Sequence, residues 1–192
     1  MFNLPNQLTM LRVLLIPLLV VIFYLPWEWH YLASGAIFTV AALTDLLDGY
    51  LARRLQLETA FGAFLDPVAD KLIVAVALVL LLEQNASALF AIPAMIIIGR
   101  EIVVSALREW MAELGKRTNV AVSGIGKVKT VVQMISIIVL LTFNPEIFPW
   151  FEWLGLILLY SAAVLTLWSM MIYLKAARPE FALGSEPDDT DG

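Results

Sequence analysis

The sequence predicts an all-α, polytopic membrane protein of six transmembrane helices with a polar cavity facing the cytoplasm. Three observations predict it. Of 192 residues, 61% are apolar and only 15% charged, with a mean hydropathy of +0.86, whereas a soluble domain is about half apolar and a quarter charged. The apolar residues fall into six runs near the ~20 residues that cross a bilayer. Threading those runs alternately also places every Lys and Arg on one side.

The runs cover roughly 8 to 26, 31 to 52, 62 to 83, 88 to 112, 125 to 143 and 152 to 174. Asn6 is a candidate N-cap for the first helix, or lines the cavity mouth together with Thr9 and Arg12. Thr59 is a candidate N-cap for the third, where Pro67 marks either a kink or a first turn. The connections YLPWEWHY, EQNAS and NPEIFPWFEW hold turn formers, and two of them hold the tryptophan and tyrosine of a lipid–water boundary. In alternate threading the first, third and fifth connections carry only Glu28, Glu83, Glu146 and Glu152, besides His30, and all 12 basic residues lie opposite. The positive-inside rule makes that opposite side cytoplasmic, with both termini.

The membrane domain is expected over residues 1–178 and a disordered acidic tail over 179–192. That tail holds five of the 17 acidic residues, so the net charge of −5 says little about the membrane-facing surface. Hydrophobicity is spread along the chain, not concentrated in one short leading run, so no removable leader is expected. No internal repeat is evident. The absence of cysteine excludes disulfides and thiolate metal sites, and a single histidine, His30, excludes a histidine-rich zinc site.

Chemistry concentrates in TDLLDGYLARRLQLETAFGAFLDPVADK. Asp45, Asp48, Gly49 and Ala52 share one helical face, and Gly62, Asp66 and Asp70 repeat at intervals of four. Two adjacent antiparallel helices therefore aim four carboxylates at one point. Each aspartate at membrane depth costs about 2.5 to 3.5 kcal/mol, less near the interface. Clustered carboxylates also repel, and two divalent cations would offset four negative charges in full. An all-oxygen donor set favours Mg2+ or Mn2+ over zinc. The competing reading pairs the aspartates with Arg53, Arg54 and Lys71 as a structural network. The small residues Gly49, Ala52 and Gly62 between the carboxylates, which admit a ligand closely, weigh against it.

The spacing Asp45-x2-Asp48-Gly49-x2-Ala52-Arg53-x8-Gly62-x3-Asp66-x3-Asp70 resembles the signature of the CDP-alcohol phosphotransferase family at all eight fixed positions. The segments NLPNQLTMLRVLLIP, LDPVADK, GREIVVSALREWMAELGK and SGIGKVKT resemble its bacterial branch that uses glycerol 3-phosphate. The resemblance implies a six-helix enzyme of the bacterial cytoplasmic membrane. CDP-diacylglycerol would be the donor, glycerol 3-phosphate the acceptor and CMP a product, with a homodimer as assembly and no nucleic-acid partner. It implies metal ligation by Asp45, Asp48, Asp66 and Asp70, with Asp70 the general base. Gly49 and Arg53, beside Asp45 and Asp48, would hold the CDP part.

An acceptor that carries a phosphate needs a further cationic pocket, for which Arg100, Arg108, Lys127 and Lys129 are the candidates; pairing of Arg100 with Glu101 and of Arg108 with Glu109 is the alternative. Lys116 and Arg117 read as interfacial anchors. Ser105, Ser123 and Ser136 read as interhelical hydrogen-bonders, and Trp27, Trp29, Trp150 and Trp153 as boundary belts. Two other functions remain in view. One is a sister enzyme taking serine, inositol phosphate or phosphatidylglycerol, and the other is a small cation transporter, against which the nearly uncharged outer halves of the spans argue.

Overall fold

A computed structural model describes residues 4–55, 60–113 and 124–183. Within these the chain forms six α-helices: α1 (Leu4–Tyr24), α2 (His30–Leu55), α3 (Ala60–Asn85), α4 (Ala88–Glu113), α5 (Gly124–Thr142) and α6 (Pro149–Leu183). Four are long and apolar enough to cross a membrane, through Asn6–Tyr24, His30–Leu47, Ala88–Ala112 and Pro149–Ile172. The other two are shorter in apolar length for visible reasons. Asp66, Asp70 and Lys71 occupy the first half of α3, and the apolar part of α5 is Val128–Thr142.

Helix ends follow local chemistry. α1 stops two residues before Pro26, which disfavours helix in the residue preceding it. After α3, Ala86 takes a left-handed conformation, φ 38°, and its N–H closes on the Leu82 carbonyl at 2.8 Å. The Ser87 carbonyl then accepts from Phe90 and Ala91 and opens α4. Past α5, the Asn144 side chain accepts from the Glu146 N–H at 2.8 Å, a turn that releases the chain toward Pro149.

Two helix boundaries differ from the sequence expectation and a third settles an open choice. α1 begins at Leu4, so Asn6 lies inside the helix and not at its cap. α3 begins at Ala60, in line with the start expected near Thr59, so of the two readings of Pro67 it is the internal one that holds, and the proline withholds one backbone donor from the ladder between the two aspartates. α6 continues to Leu183, carrying helix past the boundary drawn at 178. Thr59, Lys116, Arg117, Ser123 and residues 184–192 lie outside the described residues.

Helix contacts close a ring in the order α1, α2, α5, α6, α4, α3, with α3 also touching α5 and α2 across the middle. Leu19, Phe38, Leu78, Leu81, Ile97, Ile137, Leu141 and Leu159 fill its centre. Outward lie Leu14, Leu46, Val79, Met95, Ile102, Val131, Ile157 and Trp168, all exposed. Such an outer surface suits hydrocarbon better than water. Trp27, Trp29, Trp150 and Trp153 are exposed at one end of the bundle, as a boundary belt requires.

Small residues set the helix spacing. A Cβ on Gly35 of α2 would stand 2.0 Å from Thr142 Oγ1 and 3.1 Å from Thr142 Cα in α5. At Gly155 of α6 it would meet Leu140, and the Gly155 carbonyl accepts from Ser136 Oγ at 2.7 Å. Gly35→Val should therefore separate α2 from α5, costing about 1 to 3 kcal/mol as overpacking does. Thermal unfolding in detergent measures it, and an unchanged midpoint would show that α2 does not seat against α5 here.

Candidate active site

Alternating helix direction brings the start of α1, the end of α2 and the start of α3 to one end of the ring. Their polar residues meet there. Asp45 comes from α2, Asp66 and Asp70 from successive turns of α3, and Thr9 and Arg12 from successive turns of α1. Thr9 Oγ1 donates to Asp66 Oδ1 at 2.5 Å. Arg12 Nη1 bonds Asp70 Oδ1 and stands 4.0 Å from Asp66 Oδ1, while Nη2 lies 3.5 Å from Asp45 Oδ1. One guanidinium thus reaches carboxylates on both neighbouring helices, as its planar fork of donors permits.

Burial is uneven. The Arg12 side chain is 1% exposed, whereas those of Asp45, Asp66 and Asp70 are 32%, 36% and 35% exposed. The arginine is the floor, and the carboxylates lie between it and the open mouth. Gly62, one turn before Asp66, is buried. The helix of α2 continues through Asp48, Gly49 and Arg53, whose side chains lie outside the described residues. The structure relates Asp45, Asp66 and Asp70 through one guanidinium, that of Arg12, which sequence reasoning left among residues lining the mouth. Its signal was an isolated cation in an apolar helix, one turn beyond Thr9.

A second polar cluster joins α4, α5 and α6. Arg100 Nη1 bonds Glu101 Oε1 at 2.6 Å, Arg100 Nη2 bonds Ser169 Oγ at 3.0 Å, and Lys129 Nζ bonds Glu101 Oε1 at 3.0 Å. Lys129 is 4% exposed, so its charge is affordable only through such pairing. The structure therefore brings Arg100 and Lys129 together, on one carboxylate. Pairing of Arg100 with Glu101, the alternative drawn from sequence, is present, yet among the described residues two cations share this one anion. The side chains of Arg108 and Lys127 lie outside the described residues. Between the clusters, Lys71 of α3 bonds Ser105 of α4. Ser105 and Ser136 are both interhelical hydrogen-bonders, as expected. A cavity of about 720 Å³ opens between α3 and α4, lined by apolar side chains from Phe64 to Ile102 with Lys71, Glu101, Ser105 and Glu109.

The chain is similar to known proteins along nearly its whole length. The family model for CDP-alcohol phosphatidyltransferase matches residues 2–168. A curated protein of Salmonella choleraesuis, CDP-diacylglycerol--glycerol-3-phosphate 3-phosphatidyltransferase, is 58% identical over 177 residues, which are 92% of this chain and 96% of that protein. The Escherichia coli protein of the same name is 57% identical over 179 residues, 93% of this chain and 97% of its own. With both partners of each comparison covered almost from end to end, this chain belongs to the CDP-alcohol phosphatidyltransferase family.

Proposed function

We infer that this chain is a transferase that moves the phosphatidyl group of CDP-diacylglycerol to glycerol 3-phosphate, giving phosphatidylglycerol phosphate and CMP. The observation that carries the reading is identity of 58% across nearly the whole of a relative named for that reaction. The structure supports it with an acidic site and a cationic cluster on adjoining helices, suited to a metal-held pyrophosphate and a phosphorylated acceptor.

Asp45, Asp48 and Asp66 would hold two divalent cations, Mg2+ or Mn2+, with Asp70 beside them. The donor chemistry fits such ions, because the carboxylates on α2 and α3 share one open mouth and offer oxygen alone, although among the described residues no three of them stand close enough together to hold an ion in this arrangement. When bound, the ions supply charge stabilisation at the pyrophosphate oxygens. Gly49 and Arg53 contact the CMP portion, the arginine by a charge-assisted bond to phosphate. Asp70 accepts the proton of the attacking hydroxyl, within reach because it lies one turn along the same helix as Asp66. Arg100 and Lys129, with Arg108 and Lys127, hold the phosphate of the acceptor through their positive charge. The six helices span the bacterial cytoplasmic membrane with both termini and the site inside, and the chain works as a homodimer, both on the family resemblance and the one-sided basic residues. Ion conduction finds less support, since apolar side chains such as Phe38, Leu78 and Ile137 fill the centre of the ring.

Purified protein supplied with CDP-diacylglycerol and, separately, glycerol 3-phosphate, serine, inositol phosphate or phosphatidylglycerol tests the acceptor. Product should form with glycerol 3-phosphate in Mg2+ or Mn2+. Preference for another acceptor would move the chain to a sister activity.

A further inference from the structure

Arg12 is the largest fully buried side chain of the bundle and the one cation in α1. A buried guanidinium is costly unless matched, and here it is matched by Asp45, Asp66 and Asp70, the carboxylates proposed above as metal ligands or base. It bonds Oδ1 of Asp70 and stands within ion-pair distance of Oδ1 of Asp45 and Asp66, 3.5 and 4.0 Å away. Among the described residues no three acidic groups stand close enough together to hold a metal ion, and the guanidinium beneath them is the positive charge they share.

We propose that Arg12 is the built-in counter-cation of the acidic site, and that divalent ions load by exchange against it for the same carboxylates. This rests on the metal-dependent reading above. Three carboxylates gathered from two helices repel one another, and in the absence of metal one positive charge must keep them together for the ring to close at this end. Arg12 does so from beneath. Ions arriving through the mouth meet the carboxylates first, draw them outward and take over their charge, so entry does not require the guanidinium to leave its place. Thr9, one turn back on α1, holds Asp66 in the same manner, so α1 is a positioning element for side chains on α2 and α3. Arg12 acts through the carboxylates and needs no contact with substrate. The exchange also sets the strength of binding. A fixed positive charge a few ångströms from a divalent ion weakens its affinity by about tenfold even under water-like screening.

The test is Mn2+ binding to detergent-solubilised full-length protein without substrate, followed by electron paramagnetic resonance, for wild type, Arg12→Gln and Arg12→Lys. Arg12→Gln should bind Mn2+ about tenfold more tightly than wild type. Arg12→Lys, which keeps the charge but cannot span three carboxylates, should fall between. The metal-free Arg12→Gln protein should melt earlier than wild type, and saturating Mn2+ should restore most of the difference. Unchanged or weaker affinity in the folded variants, or a loss of melting temperature that Mn2+ leaves in place, would overturn the proposal. If Arg12→Gln does not fold, wild type still decides. Its Arg12 Nε–H resonance, assigned by its loss in Arg12→Lys, should shift on saturation with Mg2+, and a resonance that stays put refutes exchange. Asp66→Asn separates the two readings. Mn2+ binding lost there but identical in wild type and the Arg12 variants removes exchange alone, whereas no binding to wild type removes the metal site and exchange together.

Discussion

Asparagine in place of Asp70 should lower turnover about a hundred- to ten-thousandfold while donor binding stays measurable. A positioned general base contributes about 10²- to 10⁴-fold, and asparagine keeps the shape of the side chain but cannot accept the proton. The substitution is well placed to isolate that role. Asp70 lies one turn beyond Asp66 on α3, about a third exposed at the mouth, so no cavity forms and the amide oxygen can still accept from Arg12. Asp45 and Asp66 remain in place for the donor. CMP release measured beside CDP-diacylglycerol binding separates the two effects. Activity within tenfold of wild type would remove Asp70 as the base.

The second large effect is expected at Lys129. Lys129→Ala should raise the KM for glycerol 3-phosphate roughly 10- to 100-fold, the range for losing a hydrogen bond to a charged group, and change the KM for donor less than twofold. The reason lies in the count of charges. Among the described residues Glu101 offsets Arg100 or Lys129 but not both, which leaves one positive charge over, and removing Lys129 leaves the Arg100–Glu101 pair neutral. Arg108→Ala should act in the same direction. Equal loss for both substrates in steady-state kinetics would make the cluster an interhelical clamp.

How much of this was legible in sequence depends on the kind of information a residue carries. Helices were readable because hydrocarbon demands long apolar runs: each of the six runs carries a helix, four of them long and apolar enough to cross a membrane. Their ends were less readable. The helix in α6 outlasts its apolar part, and in α1 it starts before the polar Asn6 that was weighed as its cap. The aspartates were readable because 3.6-residue periodicity gathers them on two faces, and a resemblance at eight positions gave them chemistry. Arg12 was not, because its role depends on which helices flank α1. The ring places α1 against both α2 and α3, and linear order gives no sign of the second contact. Lys129 and Arg100 were singled out as cations at depth, but their meeting on Glu101 needed α4 and α5 on either side of α6, a neighbourhood that sequence does not encode locally.

The central claim is that one metal-dependent acidic site at the cytoplasmic end transfers a phosphatidyl group directly between two bound substrates. CMP release from CDP-diacylglycerol by purified protein in Mg2+, followed before and after addition of glycerol 3-phosphate and then of chelator, tests it most directly. The account predicts negligible release until the acceptor arrives, one CMP for each phosphatidylglycerol phosphate formed, and arrest on chelation. Release at the same rate without acceptor, or turnover that survives removal of the metal, would contradict it.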